Sequence, residues 1–103
     1  ITVNNLFADR WGVIGNVNGT SWNADVFMWN DGSVWKSVPF VANGAFKIRK
    51  DAGWDVNRGG AFTAFDTAFA AEAGGADINA GTDVLVTLVY DPAAETITVS
   101  EFK

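Results

Sequence analysis

Short apolar segments alternate with polar turns along most of the chain. The segments are rich in Val, Ile, Phe, Trp and Thr, and Gly, Asn and Asp separate them, which is typical of antiparallel β-structure. This pattern predicts about seven strands: Trp11–Gly15, Val26–Asn30, Val34–Phe40, Ala45–Lys50, Trp54–Asn57, Asp83–Asp91 and Thr96–Phe102.

Three connections carry residues that favour turns. Asn30-Asp31-Gly32-Ser33 and Asn43-Gly44 each place a glycine where a hairpin needs a positive φ. Asp91-Pro92-Ala93-Ala94-Glu95 has a proline that can open a turn before the last strand. We therefore expect hairpins at these points and an antiparallel β-sandwich that the last two strands close.

One stretch, from Gly59 to Gly75, departs from the strand pattern because it is rich in Ala and Phe. Its residues Phe62, Phe65 and Phe69 recur at helical spacing. The glycine pairs at its two ends fit a long loop over one sheet edge equally well. We expect one long Ala/Phe-rich loop, over Ala61–Ala73, with at most one helical turn after Thr63.

Length and charge narrow the class of protein. The chain has 103 residues, 49% of them apolar, which is one domain with an adequate core. The net charge of −5 and the scattered cations disfavour nucleic acids and anionic membranes. Without Cys or His there is no thiolate nucleophile and no imidazole base, and we expect neither a metal nor a cofactor.

Because the sequence starts at Ile1 with no basic leader, we read residues 1–103 as a single module excised from a longer protein.

The chain contains five Trp and eight Phe, more large rings than a small core readily buries. Trp11 and Trp35 lie in apolar strands, so we expect them in the core, whereas the pattern does not decide the side of Trp29. Trp22 lies in a polar loop, where it is either an exposed binding ring or a lid over the sandwich.

The segment around Trp54 is the strongest candidate site. Side chains alternate along a strand, so a buried Phe46 and Ile48 place Lys47 and Arg49 together on the outer face. A tight connection then brings Trp54 and Asn57 beside these cations. An indole next to hydrogen-bond donors suits a neutral sugar, which has an apolar C–H face and a rim of hydroxyls. The alternative is that Trp54 is a core residue and that the cations form a solvated face.

Catalysis has little support in the sequence. Most carboxylates, such as Asp31, Asp51 and Asp91, stand in turns, where local hydrogen bonding accounts for them. A glycosidase pair also needs a cleft that so small a chain rarely forms. We therefore expect no enzyme.

A set of motifs, in order along the chain, resembles the domains of surface glycan-binding lipoproteins of the SusE/SusF type. The motifs are Trp11-Gly12-Val13-Ile14-Gly15, Trp22-Asn23-Ala24-Asp25, Met28, Trp35, Gly44-Ala45-Phe46-Lys47-Ile48-Arg49 and Trp54-Asp55-Val56-Asn57. A weaker similarity exists to starch-binding modules of pullulanases. In two places the chain departs from the pattern: Thr20-Ser21 replaces the usual Gly-Gly or Pro-Gly, and the Ala61–Ala73 stretch is longer and richer in Phe.

The resemblance implies an immunoglobulin-like sandwich, repeated in tandem within a lipid-anchored protein on the outer surface of Gram-negative bacteria. It implies a non-catalytic, monomeric module that binds starch or malto-oligosaccharide and does not itself contact the membrane. Matched position by position, the ligand-binding residues are Trp22, Lys47, Arg49, Trp54 and Asn57. Two alternatives stay open: a spacer domain of the same fold that binds nothing, and a module for another neutral polysaccharide such as a β-glucan or xylan.

Overall fold

The computed structural model describes residues 10–102, and this part of the chain is all β, as the sequence predicts. It contains no helix, and hence none long and apolar enough to cross a membrane. The strands are β1 Trp11–Val17, β2 Val26–Asn30, β3 Trp35–Ser37, β4 Phe40–Lys50, β5 Asn57–Gly59, β6 Phe69–Ala70, β7 Glu72–Ala73, β8 Val84–Asp91 and β9 Thr96–Glu101.

Five of these strands form a closed ring. Strands β1, β2, β3 and β8 pair in that order, and β4 pairs with both β8 and β1. Strands β9 and β6 extend from β8, while β5 and β7 extend from β4. The pairing therefore describes a closed five-stranded barrel with two flanking extensions, where the sequence predicted two stacked sheets.

The length of β4 explains why the ring closes. Its first residues, Phe40–Ala42, pair with β8, and its later residues, from Phe46 to Lys50, pair with β1. A turn at Asn43-Gly44 would have ended this strand, so the predicted hairpin there is wrong. Instead, Asn43 accepts a hydrogen bond from the Gly19 N–H at 2.8 Å and donates one to Asp83 at 2.8 Å. Its side chain ties two loops to a continuous strand.

Two of the predicted strands have different bounds in the structure. The single strand Val34–Phe40 is divided, because Pro39 has no N–H to continue the ladder and the chain passes from β3 to β4 there. The strand predicted to begin at Trp54 begins only at Asn57, so Trp54 lies in a turn. The turn at Asp91 is confirmed, since its carboxylate accepts the N–H groups of Ala93 and Ala94 at 3.0 and 3.1 Å.

The barrel interior is filled by alternate residues of the strands. Phe46 and Ile48 are fully buried, which confirms the inward face predicted for β4. Trp11 is buried as predicted, and Trp35 is half-buried against the core. The hydrophobic core, to which β6, β9 and the segment before β8 also contribute, comprises Trp11, Val13, Val17, Met28, Phe40, Ala42, Phe46, Ile48, Phe69, Ile78, Ala80, Val86, Leu88, Tyr90, Ile97 and Val99.

The Ala/Phe-rich stretch contains no helical turn: it begins as a loop and ends in the short strands β6 and β7, which pair with β9 and β5. The Asp66 N–H donates to the Val99 carbonyl at 2.9 Å, and Phe69 pairs with Ile97. The Phe62 ring lies 5.2 Å from that of Phe65 and 6.1 Å from that of Phe69. The spacing that is typical of a helix thus serves a ring cluster that covers a sheet edge.

Candidate ligand-binding site

Trp22 lies in the loop that joins β1 to β2, and its backbone is fixed to β1. Its N–H donates to the Gly15 carbonyl at 2.9 Å, and Thr20 bonds the Val17 carbonyl through both its N–H and its hydroxyl. Trp22 has a φ of +59°, a left-handed conformation that is uncommon for a bulky residue. The loop therefore folds back over the outer face of the barrel, and the indole is half-buried.

Trp54 lies in the turn between β4 and β5. Asp51 and Ala52 both have left-handed backbones, with φ values of +56° and +54°, and the Lys50 N–H closes the turn onto the Val56 carbonyl at 2.9 Å. Asp51 also accepts the Arg10 N–H and donates its own N–H to the Arg10 carbonyl. The turn is thereby anchored, and the Trp54 side chain at its tip is 49% exposed. The alternative of a buried Trp54 is wrong.

The two candidate rings meet although the sequence separates them widely. The centroids of the Trp22 and Trp54 rings lie 6.1 Å apart, and their planes are inclined by 34°. This separation is within the range of favourable aromatic contacts. The two loops therefore present one surface with two indoles, which we call the indole pair.

Arg49 supports this surface from below. Its guanidinium carbon lies 4.9 Å from the centre of the Trp54 ring, which is a cation–π arrangement. Arg49 also forms a two-point ion pair with Asp25, with Nε to Oδ2 at 2.8 Å and Nη2 to Oδ1 at 2.6 Å. Only 13% of the Arg49 side chain and 8% of the Asp25 side chain are exposed. The hydrogen bonds to Asp25 raise the pKa of the Arg49 guanidinium above its ordinary value.

The register of the barrel explains how Asp25 reaches Arg49. Gly12 on β1 lies directly opposite Arg49 on β4. A Cβ at Gly12 would lie 3.5 Å from the Asp25 side chain and 3.3 Å from the Val26 carbonyl oxygen. The register therefore places the Asp25 carboxylate beside the Arg49 guanidinium.

Asn57 and Lys47 flank Arg49 on the same outer face. Asn57 lies opposite Arg49 on β5, and its Nδ2 donates to the Trp54 carbonyl at 3.0 Å. Its Oδ1 is buried and accepts no hydrogen bond from the described residues. Lys47 lies opposite Ile14 on β1, and within residues 10–102 it makes no hydrogen bond or ion pair. The five predicted residues are thus brought to one region, but only Lys47 has an uncommitted charge.

Two further residues of this region were not predicted. Asp25 belongs to the motif Trp22-Asn23-Ala24-Asp25, but nothing in the sequence links it to Arg49. Ile14 follows the interior residue Val13 on β1, so its side chain faces outward. It is nevertheless fully buried. The Trp22 loop is bonded to the next residue, Gly15, so Ile14 lies beneath the part of the outer face that this loop crosses.

A pocket lies beside the indole pair. A shallow pocket of about 290 Å³ is lined by the turn that carries Trp54, at Lys50, Asp51, Gly53, Asp55 and Val56. Among the described residues, no three acidic side chains are grouped as a metal would require. Trp29, whose position was undecided, is 46% exposed on the outer face of β2.

Comparison of the chain with models of protein families, with characterised proteins and with solved structures finds no match.

Proposed function

We propose that this domain is a non-catalytic carbohydrate-binding module that holds a glycan chain against Trp22 and Trp54. The observation that carries the proposal is the indole pair: two rings 6.1 Å apart, one of them half-exposed, above a charged face. Exposed indoles on rigid loops are costly in water, and a pyranose supplies the apolar C–H face that covers them. The hydroxyl rim of the same sugar then needs donors and acceptors nearby.

The five residues divide into different roles. Trp54, with the greater exposure, provides the main stacking surface, and Trp22 provides the second. Lys47 is the donor to sugar hydroxyls, because its ammonium is not engaged by the described residues. Arg49 offers a ligand only the N–H groups that Asp25 does not use, two on Nη1 and one on Nη2, since the Nε N–H and the other Nη2 N–H bond Asp25. Asn57 chiefly holds the Trp54 turn through Nδ2.

We favour starch or another α-glucan as the ligand. The motifs shared with SusE/SusF-type domains support this choice, and with it an immunoglobulin-like relationship of the fold. The 34° inclination of the two rings also suits a chain whose successive sugars turn relative to one another. A flat β-linked ribbon would fit two coplanar rings better, so β-glucan and xylan are the alternative ligands.

The parent protein follows from the same resemblance. We propose a monomeric module in tandem with other domains, held at the cell surface or outside the cell. In this arrangement the domain keeps a polysaccharide near other proteins and cleaves nothing. Incubation with starch would accordingly release no reducing ends.

A binding screen with matched variants tests the function. Isothermal titration calorimetry and affinity electrophoresis would be run with starch, malto-oligosaccharides, laminarin and xylan. Trp54→Ala and Trp22→Ala should abolish binding without unfolding the protein. Trp29→Ala is the control, because Trp29 is about as exposed as Trp54 but lies on β2. If the protein binds none of the polysaccharides, the proposal is wrong and the spacer alternative stands; an equal loss in Trp29→Ala would reject the site.

A further inference from the structure

Trp54 contacts residues that do not belong to its own turn. A continuous series of contacts runs from Asp25 through Arg49 to Trp54, and from there to Trp22. Asp25 comes from the loop before β2 and Arg49 from β4, so two separate segments meet under one exposed ring. The Asn57 side-chain amide donates to the Trp54 carbonyl and fixes the Trp54 backbone, but it leaves the indole free to rotate about its side-chain bonds.

The ion pair has the geometry of a rigid support. Two parallel hydrogen bonds hold the planar guanidinium in one plane, which a single contact would not do. Both side chains are largely buried, so solvent screens the pair little. A planar guanidinium also presents a flat face on which an indole can stack, whereas an ammonium does not.

We propose that Asp25 and Arg49 are positioning residues that hold the Trp54 indole at its distance and angle from Trp22. Arg49 then acts on the ligand through Trp54, and Asp25 acts through Arg49. The consequence for binding rests on the proposed function: a pre-set indole pair spares the glycan the cost of ordering the ring. The geometric part concerns the free protein and stands by itself.

Circular dichroism of the free protein measures the geometry directly. Two indoles that lie close and inclined to each other couple their transitions and give an exciton couplet in the far ultraviolet. Trp22 and Trp54 are the only two indoles paired among the described ring contacts. Trp22→Phe and Trp54→Phe should each abolish the couplet, which assigns it to this pair.

Asp25→Asn and Arg49→Lys are the decisive variants. Asp25→Asn removes the charge that fixes the guanidinium, and Arg49→Lys keeps a positive charge but removes the planar guanidinium with its two parallel N–H donors. Each should lose most of the couplet amplitude while the protein stays folded, and each should weaken glycan binding about tenfold, or about 1.4 kcal/mol. The double variant should lose little more than either single variant, because the two residues act in series.

Asp31→Asn is the matched control. It disrupts another aspartate ion pair, the one from Asp31 to Lys36 at 3.0 Å, in the β2–β3 turn. It should lower stability and leave the couplet intact, which separates positioning from general destabilisation. If Asp25→Asn does not fold, Arg49→Lys alone decides, because Asp25 keeps a cationic neighbour in that variant.

An unchanged couplet in a folded Asp25→Asn or Arg49→Lys protein would overturn the proposal. Failure of the positioning role can be distinguished from failure of the proposed function. A couplet that depends on Asp25 and Arg49, in a protein that binds no polysaccharide, would keep the positioning role and reject the glycan. Glycan binding by the wild-type protein, with a couplet that Asp25→Asn and Arg49→Lys leave unchanged, would reject the positioning role and keep the glycan.

Discussion

Replacement of Gly15 by alanine should destabilise the barrel at the point where β1 and β4 approach most closely. A Cβ at Gly15 would lie 2.5 Å from the Ala45 carbonyl oxygen, 2.5 Å from the Phe46 Cα and 2.7 Å from the Phe46 Cβ. Ordinary contacts of a Cβ begin near 3.4 Å, so the neighbouring strand would have to move by about 0.9 Å. Two of the three atoms are backbone, so no side-chain rotation relieves the contact.

The size of the effect follows from two terms. Overpacking of this kind costs about 1–3 kcal/mol. Gly15 also has a φ of +151°, and an alanine held in such a conformation adds about 1–3 kcal/mol of strain. A total of about 3 kcal/mol corresponds to a fall in Tm of about 12 °C or more for a domain of this size. Since the Trp22 N–H is bonded to the Gly15 carbonyl, the indole pair should be disturbed as well.

Gly44→Ala is the control for this experiment. Gly44 lies in β4, and a Cβ there would make only a 3.4 Å contact with the Asn16 side chain, which can move. Its free energy of unfolding should stay within about 0.5 kcal/mol of the wild-type value. Urea unfolding, followed by circular dichroism and tryptophan fluorescence, measures both variants. The reasoning fails if Gly15→Ala is as stable as the wild type, or if Gly44→Ala loses as much.

Three further predictions concern stability. Hydrogen bonds to the Asp31 carboxylate, first of all from the Val34 N–H, hold the pKa of Asp31 well below its usual range. Asp31 therefore stabilises the fold at pH values above its unfolded pKa of about 3.9. This stabilisation is lost as the pH falls further. The urea midpoints of the wild type and of Asp31→Asn should therefore differ at pH 7 and converge in strong acid. A difference that stays constant with pH would refute this role of Asp31. Ser37→Ala should lower the free energy of unfolding in urea by about 1–3 kcal/mol, because the buried Ser37 hydroxyl accepts the Leu88 N–H at 2.9 Å and alanine leaves that donor unpaired. An unchanged urea midpoint would contradict this. Ile48→Val should cost about 1 kcal/mol in the same assay, since the lost methylene is fully buried, and a stabilised protein would show that this part of the core is overpacked.

Local patterns predicted the strands better than their ends. Alternation along Phe46–Arg49 assigned the faces of β4, because side-chain direction in a strand depends on the backbone alone. The Asn43-Gly44 dipeptide misled, because its turn propensity is weaker than the pairing that a continuous β4 makes with both β1 and β8. The closure of the ring depends on that long-range pairing, and no local pattern reports it.

The site shows the same division between local and long-range information. The sequence left Trp54 open between an exposed binding ring and a core residue, and its meeting with Trp22 depends on left-handed backbones at Trp22, Asp51 and Ala52. Asp is enriched in that conformation but Trp and Ala are not, so the sequence carries no signal for it at Trp22 and Ala52.

Arg49 shows how the outer face of a strand can be predicted while the role of a residue on it is not. Alternation places its side chain outward, and an outward cation is naturally interpreted as a donor to a ligand. The partner that changes this interpretation, Asp25, comes from a different loop, and the strand register brings the two together by placing Arg49 opposite Gly12, beside the Asp25 side chain. The Nε N–H and one Nη2 N–H are bonded to Asp25 and the guanidinium lies against the Trp54 indole, whereas the Lys47 ammonium makes no hydrogen bond or ion pair with the described residues. If the domain binds a glycan as proposed, ring geometry carries most of the recognition, and selectivity should follow the shape of the polysaccharide more than the pattern of its hydroxyls.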